Sequence, residues 1–361
     1  MTGRRRHPDQ ATIHDVAAAA GVSRATAARA LGGYGRVSDE ARDRVTAAAT
    51  SLGYRPNTLA RSMITGTTHT IGVVVADIEN PFFARAVRGI ADAAHAAGLE
   101  VILANSDEDV AKERTAVGVL FQKRVDGLIV APASTEDTSH LVDLVERGLP
   151  IVLLDRGAPT VRADVVVVDN QRAAHGAISH LARLGHRRIA IIAEADTALP
   201  AAELATAQPG PADAMPSRLR LVGWAAGLRA ADLPVTDDLI RRTRYARAAA
   251  MEQTVAALEL DDPATAIFTT DSTMTLGAVD GIVASGRRMP DDVSLVAFDD
   301  LEWTTLVQPP LTVVAQPVYE LGATATRRLL ARLAGDEGPP ELIVLETSFI
   351  LRGSTGRVPG G

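Results

Sequence analysis

From residue 71 onwards, short runs of apolar residues alternate with longer stretches in which apolar positions recur at helical spacing. The helical stretches lie between the runs, for example at 82–97, 171–184 and 272–285. Runs that are apolar throughout predict strands buried on both faces, which is typical of parallel sheets covered by helices. The strands predicted in this way span 71–76, 100–104, 127–131, 150–154, 165–168, 188–193, 264–269 and 293–297. They are numerous enough for two sheets, and therefore for two lobes with a ligand cleft beyond the carboxyl ends of the strands.

The segment before residue 57 has no such strands, and its pattern predicts short helices instead. Thr12 is placed to cap the first helix, because its hydroxyl can accept from the free amides of the first turn. Ile13, Val16 and Ala20 then recur at helical spacing and give the helix one apolar face. Gly21 ends it, since glycine adopts the left-handed conformation without strain.

Two more helices are predicted to follow closely. Ser23 is placed to cap a second short helix, and a third is predicted over 38–53. Two short helices joined by a tight turn with glycine are typical of a helix-turn-helix, whose second helix enters the major groove of DNA. On that helix Arg24, Ala25 and Arg29 occupy the positions that face bases and phosphates. Alanine-rich helix pairs also occur in other helical domains, so this pattern alone leaves DNA binding open.

The charge distribution favours DNA as a partner of this head. Residues 1–64 contain ten Arg against five Asp or Glu, a net charge of +5, whereas the remaining 297 residues carry −12. A basic head on an acidic body is suited to contact DNA through one end only. The three arginines at 4–6 are either an arm that contacts phosphates or a solvated terminus.

Several short motifs of the head follow one another in a fixed order. They are TIHDVA at 12–17, GVS at 21–23, VS at 37–38, LGYRPN at 52–57 and ARSM at 60–63, with Thr26, Arg29 and Leu31 between them. In order and spacing these motifs resemble the head of the lactose-repressor (LacI/GalR) family of bacterial transcription regulators. The resemblance implies that Arg24, Ala25 and Arg29 enter the major groove. It also implies phosphate contacts from Thr12, Ser23, Thr26 and Asn57.

By the same resemblance, residues 57–64 form a hinge helix and a polar linker continues to residue 70. A helix this short is marginal alone, because isolated helices below roughly 12 residues are rarely stable in water. In the family it orders on DNA beside its twin from a second subunit, and Met63 becomes the wedge in a minor-groove base step. The chain departs from the family at Met63, where leucine is usual, at Ala28, where a hydroxyl is usual, and at Ala25, which offers no polar group.

The body resembles the core of the same family, which is similar to periplasmic sugar-binding proteins. The resemblance implies two flavodoxin-like lobes of parallel sheet joined by three crossovers. It divides the chain into an all-α head at 1–56, a hinge and linker at 57–70, a core at 71–351 and a tail at 352–361. Within the core, lobe one comprises 71–168 and 318–335, and lobe two comprises 169–315 and 340–351.

The segment DIENPFF at 77–83 directly follows the first predicted strand and suits a sugar pocket. Phe82 and Phe83 offer flat apolar faces to sugar C–H groups, and Asn80 can donate to and accept from hydroxyls. The alternative is that one ring packs in the core while the other caps the helix. Because aromatic residues make up only 3% of the chain, two adjacent rings at a strand end favour the pocket once the resemblance is added.

Further candidate ligands lie at the ends of other strands. Asp155 and Arg156 form a charged pair that either brackets neighbouring sugar hydroxyls or makes a salt bridge at the rim. The resemblance adds five effector-binding positions, namely Arg220, Tyr245, Thr270, Asp299 and Gln316.

Two departures from the family bear on the ligand. Thr270 stands where the family often has asparagine, and a hydroxyl offers fewer hydrogen bonds than an amide. The segment 195–216 is longer than the loop usual there and is rich in Ala and Pro, which fits either a lid over the cleft or a disordered insertion.

The composition argues against several other classes of protein. There is no cysteine, hence no disulfide or thiolate site, and no apolar run of about 18 residues that would span a membrane. The arginine-rich start lacks the apolar region of an export signal, so we expect a cytoplasmic location. The motifs GxSxG, HExxH and GxxxxGK[ST] are absent, so we expect neither an enzyme nor a cofactor.

The pattern, the charge and the resemblance together predict a homodimeric transcriptional repressor. It would bind a pseudo-palindromic operator and respond to a small sugar-like effector in the cleft between the lobes. Whether the effector releases DNA or acts as a corepressor is left open, and a nucleoside, purine or sugar phosphate is the alternative ligand. A sugar-processing enzyme and a transport binding protein are the alternatives from other functional classes.

Overall fold

The computed structural model describes residues 11–54, 66–194, 199–204 and 206–358 of the chain. The chain divides into two compact units, residues 1–68 and 69–361. The predicted hinge helix at 57–64, with Asn57 and Met63, and the arginines at 4–6 lie outside the described residues. Among the described helices, none is both long enough and apolar enough to cross a membrane.

The head is built from three helices whose ends are fixed by local capping. They are α1 (Ile13–Ala20), α2 (Arg24–Gly32) and α3 (Asp39–Ser51). Thr12 closes a capping box on α1, in which its own N–H donates to Asp15 Oδ2 at 2.8 Å. Ser23 caps α2 by accepting from the Thr26 N–H at 3.1 Å, and Gly21 takes the left-handed φ of 64° that ends α1. All three helices lie where the sequence predicts them.

Small side chains form the core of the head. Its buried members are Val16, Ala17, Ala20, Ala27, Ala30, Val45, Ala48 and Ala49. Alanine methyl groups let the three helix axes approach closely, and Ile13, Val22, Leu31, Val37 and Tyr54 cover the edges of the cluster. One face of each helix therefore packs against the other two helices, and the opposite face is exposed.

The second unit contains two six-stranded sheets, each with helices on both sides. The first lobe contains β1 (Thr70–Val75), α4 (Pro81–Ala96), β2 (Glu100–Asn105), α5 (Val110–Gln122), β3 (Gly127–Val130), α6 (Ser139–Glu146), β4 (Ile151–Leu154) and β5 (Asp164–Val168). The second lobe continues with α7 (Asn170–Arg183), β6 (Ile189–Glu194), α8 (Ala201–Leu204), α9 (Pro216–Ala230), β7 (Ile240–Thr243), α10 (Arg247–Leu258), β8 (Ala266–Thr269), α11 (Ser272–Ala284), β9 (Ser294–Phe298) and β10 (Thr312–Ala315). The chain then returns to the first lobe with α12 (Val318–Leu333) and β11 (Leu342–Leu345), and it ends in the second with β12 (Ser348–Ile350).

The strand order matches the doubly wound pattern expected for two flavodoxin-like lobes. The first sheet runs β11-β5-β4-β3-β1-β2 and the second β12-β10-β9-β8-β6-β7. All pairings are parallel except that of β12 with β10. The central strands β3, β4, β8 and β9 are buried at every position, which is why their sequences are apolar except for Thr269 and Ser294 at strand ends. Chain crossings between the lobes fall at 168–170, 315–318 and 345–348.

The strands missing from the sequence prediction are β7, β10, β11 and β12, and all of them except β10 lie at sheet edges. The sequence pattern does not predict β7, because Arg241 and Arg242 interrupt its apolar run. The assignment of 340–351 to lobe two alone is wrong, since β11 pairs with β5 of the first lobe and only β12 pairs with β10 of the second. A continuous run of mostly apolar residues hides this division, because no glycine or proline marks the crossing at 345–348.

The segment after residue 351 is also more than the tail that the sequence suggests. Ser354 is fully buried, and its hydroxyl donates to the Leu295 carbonyl at 2.6 Å and accepts from the Thr312 N–H at 2.8 Å. Nε2 of the buried His186 lies 3.1 Å from the Gly356 carbonyl. This segment therefore closes one side of the second lobe.

Glycines bring paired helices into backbone contact on both lobes. A Cβ at Gly322 of α12 would lie 2.0 Å from the Ala86 carbonyl of α4, and one at Gly89 would lie 2.1 Å from the Tyr319 carbonyl. In the second lobe, a Cβ at Gly223 of α9 would lie 2.4 Å from the Gln171 carbonyl. These contacts leave no room for a side chain, so the two helices of each pair pack closely against each other.

Candidate functional site

The predicted recognition residues of the head lie on the first half of α2. Arg24 and Ala25 are exposed, whereas Arg29 is half-buried and its Nε donates to the Ala25 carbonyl at 3.2 Å. Ser23 and Thr26 share a hydrogen bond of 2.9 Å between their hydroxyls. The N-terminal end of α2 thus combines hydroxyl groups with an exposed guanidinium, which suits phosphate and base contacts.

Thr12 lies at the matching end of α1, where it is exposed. Its hydroxyl donates to Asp15 Oδ2 at 2.7 Å, so the carboxylate fixes the hydroxyl that the sequence assigns to a phosphate. The carboxylate also accepts from the Thr12 N–H, and these hydrogen bonds lower the pKa of Asp15. Asn57 and Met63, the remaining predicted DNA contacts, lie outside the described residues.

A cavity of about 500 Å³ lies between the two lobes of the second unit. This volume falls within the range of roughly 300–1,000 Å³ that is usual for small-molecule sites. The cavity is lined by all ten of the residues that the sequence analysis proposes for the effector: Asn80, Phe82, Phe83, Asp155, Arg156, Arg220, Tyr245, Thr270, Asp299 and Gln316.

The topology explains why residues distant in sequence meet here. Asn80 follows β1, Asp155 follows β4, Thr270 follows β8, Asp299 follows β9 and Gln316 follows β10. Because the carboxyl ends of parallel strands share one edge of a sheet, each lobe presents these loops on its cleft side. The site is therefore a direct consequence of the strand order.

One wall of the cavity is aromatic. Phe82 and Phe83 meet edge to face with ring centroids 5.0 Å apart, and both also belong to the core of the first lobe. Asn80 caps α4 by accepting from the Phe82 N–H at 3.0 Å, and its Nδ2 donates across the cleft to the Tyr245 hydroxyl at 3.2 Å. The rings therefore serve the core and the cavity at once.

Arg156 is buried in the first lobe and fully engaged by protein groups. Its two terminal nitrogens donate to the carboxylate of Glu108 at 2.8 and 3.1 Å, and Nη1 also reaches the Pro132 carbonyl at 3.3 Å. Its Nε lies 3.4 Å from Asp155 Oδ2. Burial opposes the charge of Arg156, but Glu108 and Asp155 outweigh it and raise the pKa of the guanidinium.

Arg220 plays the matching part in the second lobe. It projects from α9, its Nε donates to Asn170 Oδ1 at 2.8 Å and its Nη1 donates to the Thr270 carbonyl at 2.5 Å. Its guanidinium carbon lies 3.7 Å from the centre of the Phe298 ring. Burial lowers the pKa of Arg220, and the nearby carboxylates, Asp299 foremost, partly offset this.

Three carboxyl groups near Arg220 have raised pKa values. Burial raises the pKa of Asp155, Asp271 and Asp299, and the positive charge of Arg220 only partly compensates in each case. Burial also raises the pKa of the Tyr245 phenol, with a further contribution from Asp271. The cleft is thus an unfavourable place for additional negative charge.

Backbone strain is concentrated at this cavity. Asp107, Glu108, Asp155 and Asp299 adopt left-handed φ values of 52°, 56°, 70° and 78°, a region that side chains other than glycine rarely occupy. Such strain persists only where the surroundings enforce it, and it is common at binding sites. These four carboxylates are therefore held in position rather than adopting relaxed loop conformations.

Several residues of the cavity wall are not predicted from the sequence. Asp107 and Glu108 follow β2, Glu194 ends β6, Asp271 follows β8 and caps α11, and Met215 immediately precedes α9. Four of these positions could have been found from the rule that ligands bind at the carboxyl ends of parallel strands. Met215 carries no comparable signal, because it lies within the long Ala/Pro-rich segment.

The described part of that segment packs against both lobes. Leu204 is fully buried in the core of the second lobe, and Gln171 Nε2 donates to the Pro209 carbonyl at 2.8 Å. A Cβ at Gly157 of the first lobe would lie 2.5 Å from the Ala212 carbonyl, and Arg156 Nη1 lies 3.5 Å from Met215 Sδ. Met215 and Pro216 line the cavity, and Pro209 and Ala212 pack against its two lobes, which favours a lid over a disordered insertion for residues 206–216.

Comparison with known proteins gives matches to both units. A family model described as "Bacterial regulatory proteins, lacI family" matches residues 12–57, and one described as "Periplasmic binding protein-like domain" matches residues 178–355. The HTH-type transcriptional regulator DegA of Bacillus subtilis is 32% identical over 346 residues, which cover 95% of this chain and 98% of DegA.

Two solved structures are similar over nearly the whole chain. The lac repressor dimer bound to operator and the anti-inducer ONPF is 27% identical, with a TM-score of 0.81, covering 96% of this chain and 99% of that one. The complex of the transcriptional regulator CelR with cellobiose is 30% identical, with a TM-score of 0.69, covering 96% of this chain and all 100% of that one.

Proposed function

This chain belongs to the lacI family of bacterial regulatory proteins, and we propose that it represses transcription by binding a pseudo-palindromic operator as a homodimer. A small sugar-like molecule in the cavity between the lobes is its effector, and the protein acts in the cytoplasm. The observation that carries the proposal is the combination of two sites in one chain. The head has an exposed, capped recognition helix, and the core has a ligand cavity lined by both lobes.

The chemistry of the head supports sequence-specific binding. Arg24 is exposed in the first turn of α2, where a guanidinium can donate two hydrogen bonds to one guanine. Ser23 and Thr26 lie beside it and offer hydroxyls to the backbone phosphates. Ala25 makes no hydrogen bond through its side chain, so it contributes shape and contact with a thymine methyl group.

The chemistry of the core supports control by a ligand. A sugar in the cavity contacts both lobes, so its affinity depends on how the lobes are arranged about the crossings at 168–170, 315–318 and 345–348. A ligand that favours one arrangement shifts the population of the whole core towards it. We propose that the liganded arrangement binds operator less tightly, so that the effector relieves repression.

The proposal is tested by substitutions on the recognition helix. An operator is first selected from random DNA, and affinities are then measured by fluorescence anisotropy at a fixed salt concentration. Arg24→Ala should weaken operator binding by roughly 5–150-fold, because one bidentate base contact contributes about 1–3 kcal/mol of discrimination. Arg44→Ala is the matched control, since it removes the same charge from the exposed surface of α3.

The control should lower binding to the operator and to random DNA by similar, smaller factors. Wild-type operator affinity in Arg24→Ala, or an equal loss on operator and random DNA, would contradict the proposed recognition helix. Failure of the wild-type chain to select any DNA sequence would contradict the proposed function itself.

A further inference from the structure

The wall of the effector cavity has a strong excess of negative charge. Among the described residues that line it, eight are Asp or Glu and two are Arg, and one of the eight, Asp107, is paired with Lys112 outside the lining. The carboxylates come from both lobes, so the excess surrounds the cavity. Only two of the eight acidic residues, Asp155 and Asp299, are among the effector positions named from the sequence, so this imbalance is not predicted there.

The two arginines are already committed to protein partners. Glu108 holds Arg156 through two hydrogen bonds of 2.8 and 3.1 Å, and the side chain is only 5% exposed. Arg220 is held by Asn170 and the Thr270 carbonyl, and it lies near three buried carboxyl groups. An anionic ligand would therefore lie close to carboxylates, and neither arginine would be available to pair with it. Its binding is unfavourable for this reason.

A buried acceptor in the wall lacks a donor. Gln316 Nε2 donates to Asp299 Oδ1 at 2.5 Å, which leaves Gln316 Oε1 as an acceptor. Within the described part of the chain, this oxygen is buried and has no hydrogen-bond partner. A buried polar atom without a partner is costly, so the site is prepared for a ligand that donates hydrogen bonds.

The missing positive charge is better supplied by an organic group than by a metal. Among the residues that the structure describes, no three His, Asp or Glu side chains are grouped closely enough to hold a metal ion. The carboxylates are instead spread around aromatic rings and hydroxyl-binding groups such as Asn80 and Tyr245. A protonated amine provides three donors and one positive charge without any acceptor, which matches these surroundings.

We infer that the effector is an amine-bearing sugar or polyol that enters the cavity as a cation. Neutral analogues bind more weakly, and phosphorylated or carboxylated analogues are rejected. The inference rests on the proposed function, because it takes this cavity as the effector site. The pKa values of Asp155, Asp271 and Asp299, which burial raises, agree with it, since a cation would stabilise their ionised forms.

The test compares sugars that differ only in charge. The full chain is titrated calorimetrically at pH 7 with glucosamine, N-acetylglucosamine, glucose and glucose 6-phosphate, and with the corresponding galactose and mannose sets. At least one amine should bind ten or more times tighter than its N-acetyl and unmodified counterparts, and no phosphate should bind. Tighter binding of a neutral or phosphorylated member, or no binding by any amine, would overturn the inference.

A charge-removing substitution provides a second readout. Asp299→Asn keeps an oxygen that can accept from Gln316 Nε2 but removes the negative charge. It should weaken the best amine at least tenfold and its neutral counterpart less than threefold, whereas Glu146→Gln, on the exposed end of α6, should change neither. Equal losses for amine and neutral sugar in Asp299→Asn would contradict charge recognition.

Operator binding by the same preparation without sugar separates the two proposals. A chain that binds operator but shows no preference for amines retains the proposed function and loses the inference. A chain that prefers amines but selects no DNA sequence retains the inferred ligand preference and loses the proposed function.

Discussion

Individual charged residues in this protein are held by partners that the sequence does not place beside them. Asp164, at the start of β5, is 1% exposed and accepts from Arg332 Nε and Nη2 at 2.7 and 2.9 Å and from the Glu341 N–H at 2.7 Å. Arg328 lies 3.1 Å from the same carboxylate. One carboxylate therefore ties β5 to α12 and to the residue that precedes β11.

The ionisation of Asp164 should be visible in the stability of the core. Burial alone would raise the pKa of Asp164, but the hydrogen bonds from Arg332, the Glu341 N–H and Arg328 outweigh it and lower the pKa below the ordinary value of 3.8. A lowered folded-state pKa contributes stability that is present above pH 3.8 and is lost as the pH falls through the folded value.

Asp164→Asn should therefore lower the free energy of unfolding by about 3 kcal/mol at pH 7, since it leaves two mostly buried guanidiniums without their shared carboxylate. The difference from wild type should narrow below about pH 4. Urea unfolding followed by circular dichroism measures both effects. Asp143→Asn, which removes an exposed pair with Arg147, is the control and should cost less than about 0.5 kcal/mol. A difference that stays constant with pH would contradict this account of Asp164.

At the scale of helices and strands, close packing depends on a few glycines. Gly322→Ala should lower the free energy of unfolding by about 1–3 kcal/mol, because the added methyl would lie 2.0 Å from the Ala86 carbonyl and push α12 away from α4. Gly118→Ala is a matched control in α5, where an added methyl meets no atom within 4 Å. It should raise the stability by roughly 0.5–1 kcal/mol through helix propensity. Similar effects of the two substitutions on unfolding by urea would contradict the packing account.

The elements that the sequence predicts best are those whose local signals agree with their surroundings. The caps Thr12, Ser23 and Ser38 fix the three head helices, and the fully buried central strands are recognisable from their apolar runs. The edge strands are harder, because β7 carries two arginines and β11 and β12 share one run without a turn signal. An edge strand pairs with a neighbouring strand on one side only, so its amino-acid composition is less constrained.

The cavity shows a similar division between what the sequence reveals and what it does not. The ten predicted residues meet there because they either follow strands or match family positions, whereas the ion pair between Arg156 and Glu108 joins loops 48 residues apart. No periodicity or local motif in the sequence indicates a contact between residues so far apart in the chain. The acidic excess of the wall therefore becomes visible only when both lobes are folded.

At the scale of the whole molecule, the first and third crossings between the lobes are bonded to each other, and the second is bonded to the cavity wall. Asp169, in the first crossing, accepts from the Thr347 N–H of the third at 2.8 Å, and Arg172 lies 2.9 Å from Glu346. Gln316, in the second crossing, is bonded to Asp299 in the cavity wall. A ligand that engages Asp299 therefore acts directly on one of the segments that set the arrangement of the lobes.

In the proposed function, operator and effector are two ligands of one conformational equilibrium. Coupling between them is a free energy, typically 1–3 kcal/mol, and it must be the same in both directions. A sugar that weakens operator binding by a given factor must itself be bound more weakly by that factor when operator is present. This reciprocity follows from any mechanism in which the cavity controls the head.

The most direct test measures this coupling in both directions with the sugar of the panel that binds the free protein most tightly. Operator affinity is measured by anisotropy with and without saturating sugar, and sugar affinity is measured by calorimetry with and without saturating operator. The account predicts that both affinities fall by the same factor, between about 5 and 150. A sugar that occupies the cavity and leaves operator affinity unchanged would contradict it.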